Sequence, residues 1–304
     1  QGHLHAAIKP RQMNELEEWQ HGLEKDYGYD SLTLWDQQDV QLKMQSERYL
    51  GGLFDANSGH IHPLNYTLGL AQAALDAGVT IYTDSAVTKV TRKSQANVCQ
   101  TAQGQIKAQQ VLFCGNAYMG KLVPEISNKI MPVGTYIGAT EPLGEARAKA
   151  LINNNMAIAD VNFVLDYFRL SADYRMLFGG RVSYSTLAPP NLMHSMRQRM
   201  LGVFPQLADV KMAYSWGGNV AITMNRGPHF GRVGQDLYFA QGFSGHGIAA
   251  TGLAGKLLAE AVAGQAERFD LFKEISHLPF PGGSLLKTPA LMLAMTWYRL
   301  RDML

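Results

Sequence analysis

Apolar positions recur every three or four residues from Met13 to Tyr27, where Leu16, Trp19, Leu23 and Tyr27 stand among Glu, Gln and Lys. The spacing predicts an amphipathic helix that Asn14 can cap. The same period at Leu64, Leu68, Ala71 and Leu75 predicts a second helix, opening after His62-Pro63 and stopped by Gly78. Gly51-Gly52 reads as a turn before it. Val79–Thr83, Val87–Thr91 and Val111–Phe113 predict short strands, so strand and helix alternate here as in α/β layers. The pattern then changes: Met131–Thr140, Phe163–Ser171 and Arg175–Gly179 alternate or run apolar with little helix between them. Ala172-Asp173-Tyr174 reads as a hairpin turn, and the region as a mostly antiparallel sheet. A helix is predicted over Asn191–Phe204, with Leu192, Met196, Met200 and Val203 on one face. Strands follow at Val210–Trp216, Val220–Met224 and Leu237–Ala240, and a last helix at Ile248–Val262.

Composition narrows the partners. The 304 residues are about two domains' worth of chain, and 46% hydrophobic against 17% charged residues excludes a disordered protein. Lys plus Arg (27) nearly balance Asp plus Glu (25), and no block of like charge offers a footprint for nucleic acid or a membrane surface. A small-molecule partner is expected, and the oligomeric state stays open. Cys99 and Cys114 are too few for a disulfide framework, which suits a reducing compartment. The apolar stretch Pro289–Leu300 falls short of the roughly 20 residues that span a bilayer, and the first residues are not a charged n-region followed by an apolar h-region. A cytoplasmic protein is expected. The chain starts Gln1-Gly2-His3-Leu4 without Met and reads as a fragment.

The most informative segment is Gly242-Phe243-Ser244-Gly245-His246-Gly247, which joins a strand directly to a helix. Such a loop gathers backbone N–H groups and a helix N-terminus at one point, where they can meet a negative charge. A tight turn serving only packing is the alternative. His60 and His62 form an H-x-H with no third ligand in register, so no metal site is expected. Met292, Met295, Trp297 and Leu300 form a stripe that reads as core or as a docking face.

With its flanks, the glycine loop resembles the C-terminal flavin-binding segment of the D-amino-acid oxidase-like superfamily of FAD-dependent oxidoreductases, which includes sarcosine and glycine oxidases. Longer stretches are similar to a branch of that superfamily that acts in bacterial putrescine breakdown. They are Ser58–Asn65, Leu165–Leu170 with Phe178-Gly179-Gly180, Phe204–Leu207, Gly264–Asp270 and Phe280–Gly283. Together they extend the resemblance over essentially the whole chain. It implies a mixed α/β (α+β) fold: a partial Rossmann-like FAD-binding domain and a mostly antiparallel-sheet substrate domain. The expected divisions are 1–59 and 126–230 for the substrate domain, and 60–125 and 231–304 for the FAD-binding domain. The superfamily's G-x-G-x-x-G, which opens a βαβ unit and holds the FAD pyrophosphate, does not occur here. The chain therefore reads as N-terminally truncated, with FAD binding retained or lost as open alternatives.

The resemblance also assigns residues. Val87 stands where members use backbone groups to meet the adenine end of FAD, and Gly115-Asn116 after an apolar strand match a glycine that lets the backbone pass close to the cofactor. Gly242, Ser244, Gly245, His246, Gly247 and Ile248 are the cofactor residues of the loop, where the helix's partial positive charge stabilises reduced flavin. No cysteine follows Cys114, so FAD is expected to be non-covalent. Tyr167 and Arg169 share one face of a predicted strand and are candidates for a substrate's glutamyl end, or else a structural pair. Trp216 and His62 complete the substrate-binding candidates, His62 shaping a turn near the flavin. Relatives that oxidise α-amino acids carry a carboxylate-clamping arginine two residues beyond W-x-G, where this chain has Val220. That departure points to a primary amine, unless Arg169 or Arg226 supplies the clamp. The implied reaction is oxidation of gamma-glutamylputrescine to gamma-glutamyl-aminobutyraldehyde, with dioxygen reduced to hydrogen peroxide and ammonia released. No essential acid–base side chain is expected, because the cofactor carries the electrons. A sarcosine- or glycine-oxidase-like activity and a catalytically inactive remnant are the alternatives.

Overall fold

A computed structural model describes residues 2–93, 96–162, 164–183 and 191–281. The stripe from Met292 to Leu300 and the apolar stretch from Pro289 lie outside the described residues. The described residues divide into two compact units: those up to Ile61 with Gly134–Gly218, and His62–Val133 with Asn219 to Pro281.

In chain order, the first unit begins with β1 (His3–Ala7), α1 (Pro10–Tyr27), β2 (Leu32–Asp36), α2 (Gln37–Lys43) and β3 (Gly51–Asp55). The second supplies α3 (Pro63–Asp76), β4 (Lys89–Arg92), β5 (Asn97–Gln100), β6 (Gln105–Ala108), β7 (Val111–Phe113) and α4 (Pro124–Ser127). Next come β8 (Met131–Thr140), α5 (Glu145–Leu151), β9 (Ala157–Asp160), β10 (Tyr167–Leu170), β11 (Met176–Ser183), α6 (Leu192–Val203) and β12 (Met212–Ile222). The last elements are β13 (His229–Val233), β14 (Leu237–Gln241), α7 (Gly247–Val262) and α8 (Glu267–Lys273).

Eight strands, most of whose residues belong to the first unit, form one sheet in the order β12-β8-β11-β10-β9-β1-β3-β2. Most neighbours with a described register are antiparallel, and β1 with β9 is parallel. On one face Phe168 pairs with Phe178 across β10 and β11, their rings stacked at 5.5 Å, and Phe204 meets Phe168 edge-on. Met196, Met200 and Val203 of α6 close over them. On the other face α1 lays Leu16 against Leu32 and Leu53. Trp19 of α1 meets His5 edge-on there, whereas Trp35 stacks on Phe54 at 4.3 Å on the Phe168 face.

Three expectations for this unit change. Helix α1 starts at Pro10 instead of being capped by Asn14, since proline at the first position loses no needed N–H and Gln12 Oε1 accepts from the amides of Ile8 and Lys9. Gly51-Gly52 belongs to a strand. A Cβ on Gly51 would stand 2.5 Å from the Trp35 carbonyl, and one on Gly52 2.6 Å from that of His5, so close strand approach selects glycine. Val210–Trp216 and Val220–Met224 form one strand, β12, whose Gly217 leaves room for the Tyr136 ring 2.4 Å from where a Cβ would be.

The second unit is smaller-grained. Its sheet β13-β14-β7 packs Phe230, Tyr238 and Ala240 against α7 and α8 through Leu257, Leu258 and Phe269. A separate antiparallel sheet, β4-β5-β6, carries Cys99; Cys99 and Cys114 are both free. Helix α3 forms as its period predicts, yet buries no residue: Leu64, Leu68, Leu70 and Leu75 are all exposed. Val79–Thr83 is not a strand, and Val87 precedes β4 outside it. Among the described residues, the apolar, β-branched composition there meets no neighbouring ladder to take its backbone hydrogen bonds.

Candidate functional site

In the second unit, the end of β14 is tied to the end of β7, its parallel neighbour. The Gly242 amide donates to Asn116 Oδ1 at 2.9 Å, and both residues are left-handed, with φ of 73° and 47°. A Cβ on Gly242 would lie 2.5 Å from Thr223 Cγ2, so the turn needs glycine twice over. Ser244 is also left-handed at φ 52° and is buried; its amide donates to the Ala221 carbonyl, and its Oγ accepts from the Thr223 amide and donates to the Gly242 carbonyl. Gly245, at φ 97°, faces open space. His246 then caps α7 by position but makes no side-chain cap bond. The exposed first turn thus presents the amides around Gly247 and Ile248 at the positive end of a 16-residue helix.

Beneath this loop, Gln241 Nε2 donates to the Ile126 carbonyl at 2.8 Å and to His229 Nδ1 at 3.0 Å. Burial, then the charges of His277 and Lys129, pull the His229 imidazole down to about 3, so it is neutral and its Nδ1 free to accept. Gly115 precedes Asn116 and would bring a Cβ to 2.6 Å from Met119 Cγ. Val87 is exposed. His62 caps α3, its Nδ1 accepting from the Asn65 amide at 3.2 Å.

In the first unit, Tyr167 and Arg169 share the face of the sheet opposite Phe168. Tyr167 pairs with Ala159 and Gly179 across the neighbouring strands, and its ring covers Gly179, where a Cβ would sit 2.2 Å from Cε2. Burial pushes its hydroxyl up to about 12. Arg169 is half-buried, which lowers its pKa. Its Nη1 donates to His60 Nδ1 at 3.3 Å and to the Leu170 carbonyl at 3.4 Å, and its Nη2 to the Ile61 carbonyl at 3.1 Å. Among the described residues no carboxylate lies within ion-pair reach of it. His60 Nε2 in turn meets the Asn155 carbonyl at 3.0 Å. Trp216 is exposed on β12, Val220 lies further along that strand, and Arg226 sits in a left-handed turn of the second unit.

The structure thus gathers Asn116, Gly242, Ser244 and the start of α7 in one unit, and Tyr167 with Arg169 in the other. The H-x-H divides at the same boundary, His60 bonding Arg169 and His62 capping α3. No group of metal-ligating residues occurs among the described residues. Sequence reasoning missed Thr223, Gln241 and His229, whose polar side chains support the glycine loop from neighbouring strands. Polar residues inside apolar strand patterns were the available signal. It also missed a buried charge cluster. Asp166 takes Arg199 at 2.7 Å and Arg48 at 3.3 Å, leaving Asp160 with Arg48 only at 4.0 Å and one oxygen without a hydrogen-bond partner. Burial, with Asp166 beside it, raises the Asp160 carboxyl to about 7.

The profile of a family described as FAD dependent oxidoreductase matches residues 1–261. The chain is 43% identical over 304 residues to gamma-glutamylputrescine oxidoreductase of Escherichia coli, covering all of this chain and 71% of that protein. It is 42% identical to the probable oxidoreductase OrdL of Haemophilus influenzae, covering 99% of this chain and 70% of the relative. Among solved structures, glycine oxidase from Geobacillus kaustophilus superposes with a TM-score of 0.80 at 19% identity, over 91% of this chain and 75% of the other. No helix among the described residues is long and apolar enough to cross a membrane.

Proposed function

The chain belongs to the FAD dependent oxidoreductase family, and from that premise we propose that it oxidises the primary amine of gamma-glutamylputrescine with non-covalently held FAD. The amine, dioxygen and water give gamma-glutamyl-aminobutyraldehyde, ammonia and hydrogen peroxide. The substrate follows the name of the Escherichia coli relative, and one observation in this chain supports it. Arg169 is a half-buried cation whose partners are two carbonyls and an imidazole. A guanidinium in that setting favours an anionic ligand, and the glutamyl carboxylate is the anion such a substrate brings.

The residues present fit FAD. The exposed first turn of α7 offers amides and a positive dipole end to an anionic group. Gly245 leaves open space beside it. The exposed leucines of α3, with Tyr66 approaching Gly252 of α7, supply apolar surface. FAD, when bound, accepts the two electrons of amine oxidation and passes them to dioxygen. The chain's own part is to place the amine: Arg169 holds the carboxylate end, the Tyr167 ring forms a floor over Gly179, and no side chain need carry a proton. Val220, where clamp-bearing relatives have arginine, agrees with a substrate lacking an α-carboxylate at the reacting carbon.

The test is peroxide formation by the flavin-loaded protein with gamma-glutamylputrescine, putrescine, sarcosine and glycine. Turnover confined to or strongly favouring the first supports the reading. Preference for sarcosine or glycine sinks it in favour of an amino-acid oxidase. Tyr167→Phe and Arg169→Ala are expected to raise KM, the latter by about tenfold or more, while the rate of flavin reduction at saturation stays within about twofold. A loss confined to the reduction rate contradicts the assignment.

A further inference from the structure

We propose that His60 is a positioning residue for Arg169, holding the guanidinium so that its free donors are presented to a substrate carboxylate; this rests on the reading of Arg169 given above. Arginine only donates hydrogen bonds, so the contact between Nη1 and His60 Nδ1 requires a lone pair on Nδ1. The Asn155 carbonyl only accepts, so the proton belongs on Nε2. One tautomer, neutral and protonated at Nε2, satisfies both partners.

The consequence lies in the donors that remain. The guanidinium has five N–H bonds. Nη1 uses two, toward His60 and Leu170, and Nη2 uses one, toward Ile61. The Nε–H and one N–H of Nη2 are left, two donors on neighbouring nitrogens of the fork that a carboxylate can accept. His60 and the Leu170 carbonyl hold Nη1, and the Ile61 carbonyl holds Nη2. Remove the imidazole acceptor and only the Leu170 and Ile61 carbonyls hold the guanidinium, so its free donors are aimed less firmly. The surroundings favour the neutral ring: burial first, then the charge of Arg169, lower its pKa, although the Asn155 bond pulls the other way, and His3 is the titratable side chain beside it. The H-x-H is thereby accounted for without a metal.

Two substitutions separate aiming from packing. His60→Phe keeps a ring and removes both nitrogens, whereas His60→Asn restores an acceptor where Nδ1 stood. In the flavin-loaded protein, His60→Phe is expected to raise KM for gamma-glutamylputrescine about tenfold, with kcat within about twofold, and to leave KM for putrescine unchanged. His60→Asn is expected to recover most of the loss. Equal KM values for the two variants, or a fall in kcat at unchanged KM, overturn the proposal. A second readout uses the wild-type chain and needs no turnover: the ¹⁵N resonances of the His60 ring. An unprotonated Nδ1 that shifts on Arg169→Lys supports the tether, and a protonated Nδ1 overturns it. If the wild type does not prefer gamma-glutamylputrescine to putrescine, the substrate reading fails, and the ring resonances still decide whether His60 holds Arg169.

Discussion

The two units solve the problem of burying apolar surface differently. In the first, an eight-stranded sheet has one face filled by Phe168, Phe178, Phe204 and the methionines of α6, and α1 covers part of the other. In the second, small sheets carry a compact core of Phe230, Phe243 and Phe269, while α3 keeps all its leucines at the surface. A helix whose apolar stripe is not spent on its own unit's core contributes little to that unit's stability and leaves the surface for a ligand. The comparison teaches that binding capacity and folding stability are drawn from different parts of this chain.

The largest expected effect is in the filled core. Phe178→Ala removes a fully buried ring stacked on Phe168, and should cost about 3–5 kcal/mol in a denaturant titration. A cost below about 1 kcal/mol would mean that the two units are not as different as their packing indicates.

Next come opposite responses to pH. The Asp160 carboxyl of the first unit is raised from 3.8 to about 7, chiefly by burial. The folded state holds a proton that the unfolded chain releases, so stability is full below the ordinary value and is lost as pH rises through about 7. The His229 imidazole of the second unit is lowered from 6.5 to about 3, chiefly by burial. Its contribution is full above 6.5 and is lost as pH falls toward about 3. Each effect is on the order of 4–5 kcal/mol at its limit. Hydrogen exchange should show amides of β9 and β10 losing protection toward neutral pH, and those of β13 and β14 toward acid. Asp160→Asn and His229→Asn should each flatten one slope only, and slopes of one sign in both units would break the comparison.

Smaller effects test the ligand-facing parts. Asn116→Ala removes the acceptor of the Gly242 amide, and should cost about 1 kcal/mol and weaken FAD binding measured by flavin fluorescence. Unchanged affinity would detach Asn116 from the cofactor. Leu68→Ala, on the exposed face of α3, should change stability without FAD by less than about 0.5 kcal/mol while reducing the thermal shift that FAD produces.

What could be read from the sequence followed locality. The strand, glycine turn and helix start from Leu237 to Val262 are consecutive, and two of their three left-handed residues, Gly242 and Gly245, are glycines, so the loop was legible. The tether between His60 and Arg169 spans 109 positions and leaves no linear trace. Gly51-Gly52 misled because glycine marks a turn and a tight strand contact equally, and only the neighbours Trp35 and His5 decide between them. Val79–Thr83 has strand composition but no partner strand among the described residues, and a partner is not local information.

The tryptophans carry a practical consequence. Trp19, Trp35 and Trp216, the three within the described residues, all belong to the first unit. Their emission is therefore a local probe, and the second unit is represented in that window by tyrosines such as Tyr66, Tyr118 and Tyr238. A fluorescence melt excited at the indole band will follow the eight-stranded sheet, whereas far-ultraviolet circular dichroism weights the helices α3 and α7 as well. Two midpoints from one sample would then be two units reporting separately, each through its own chromophore.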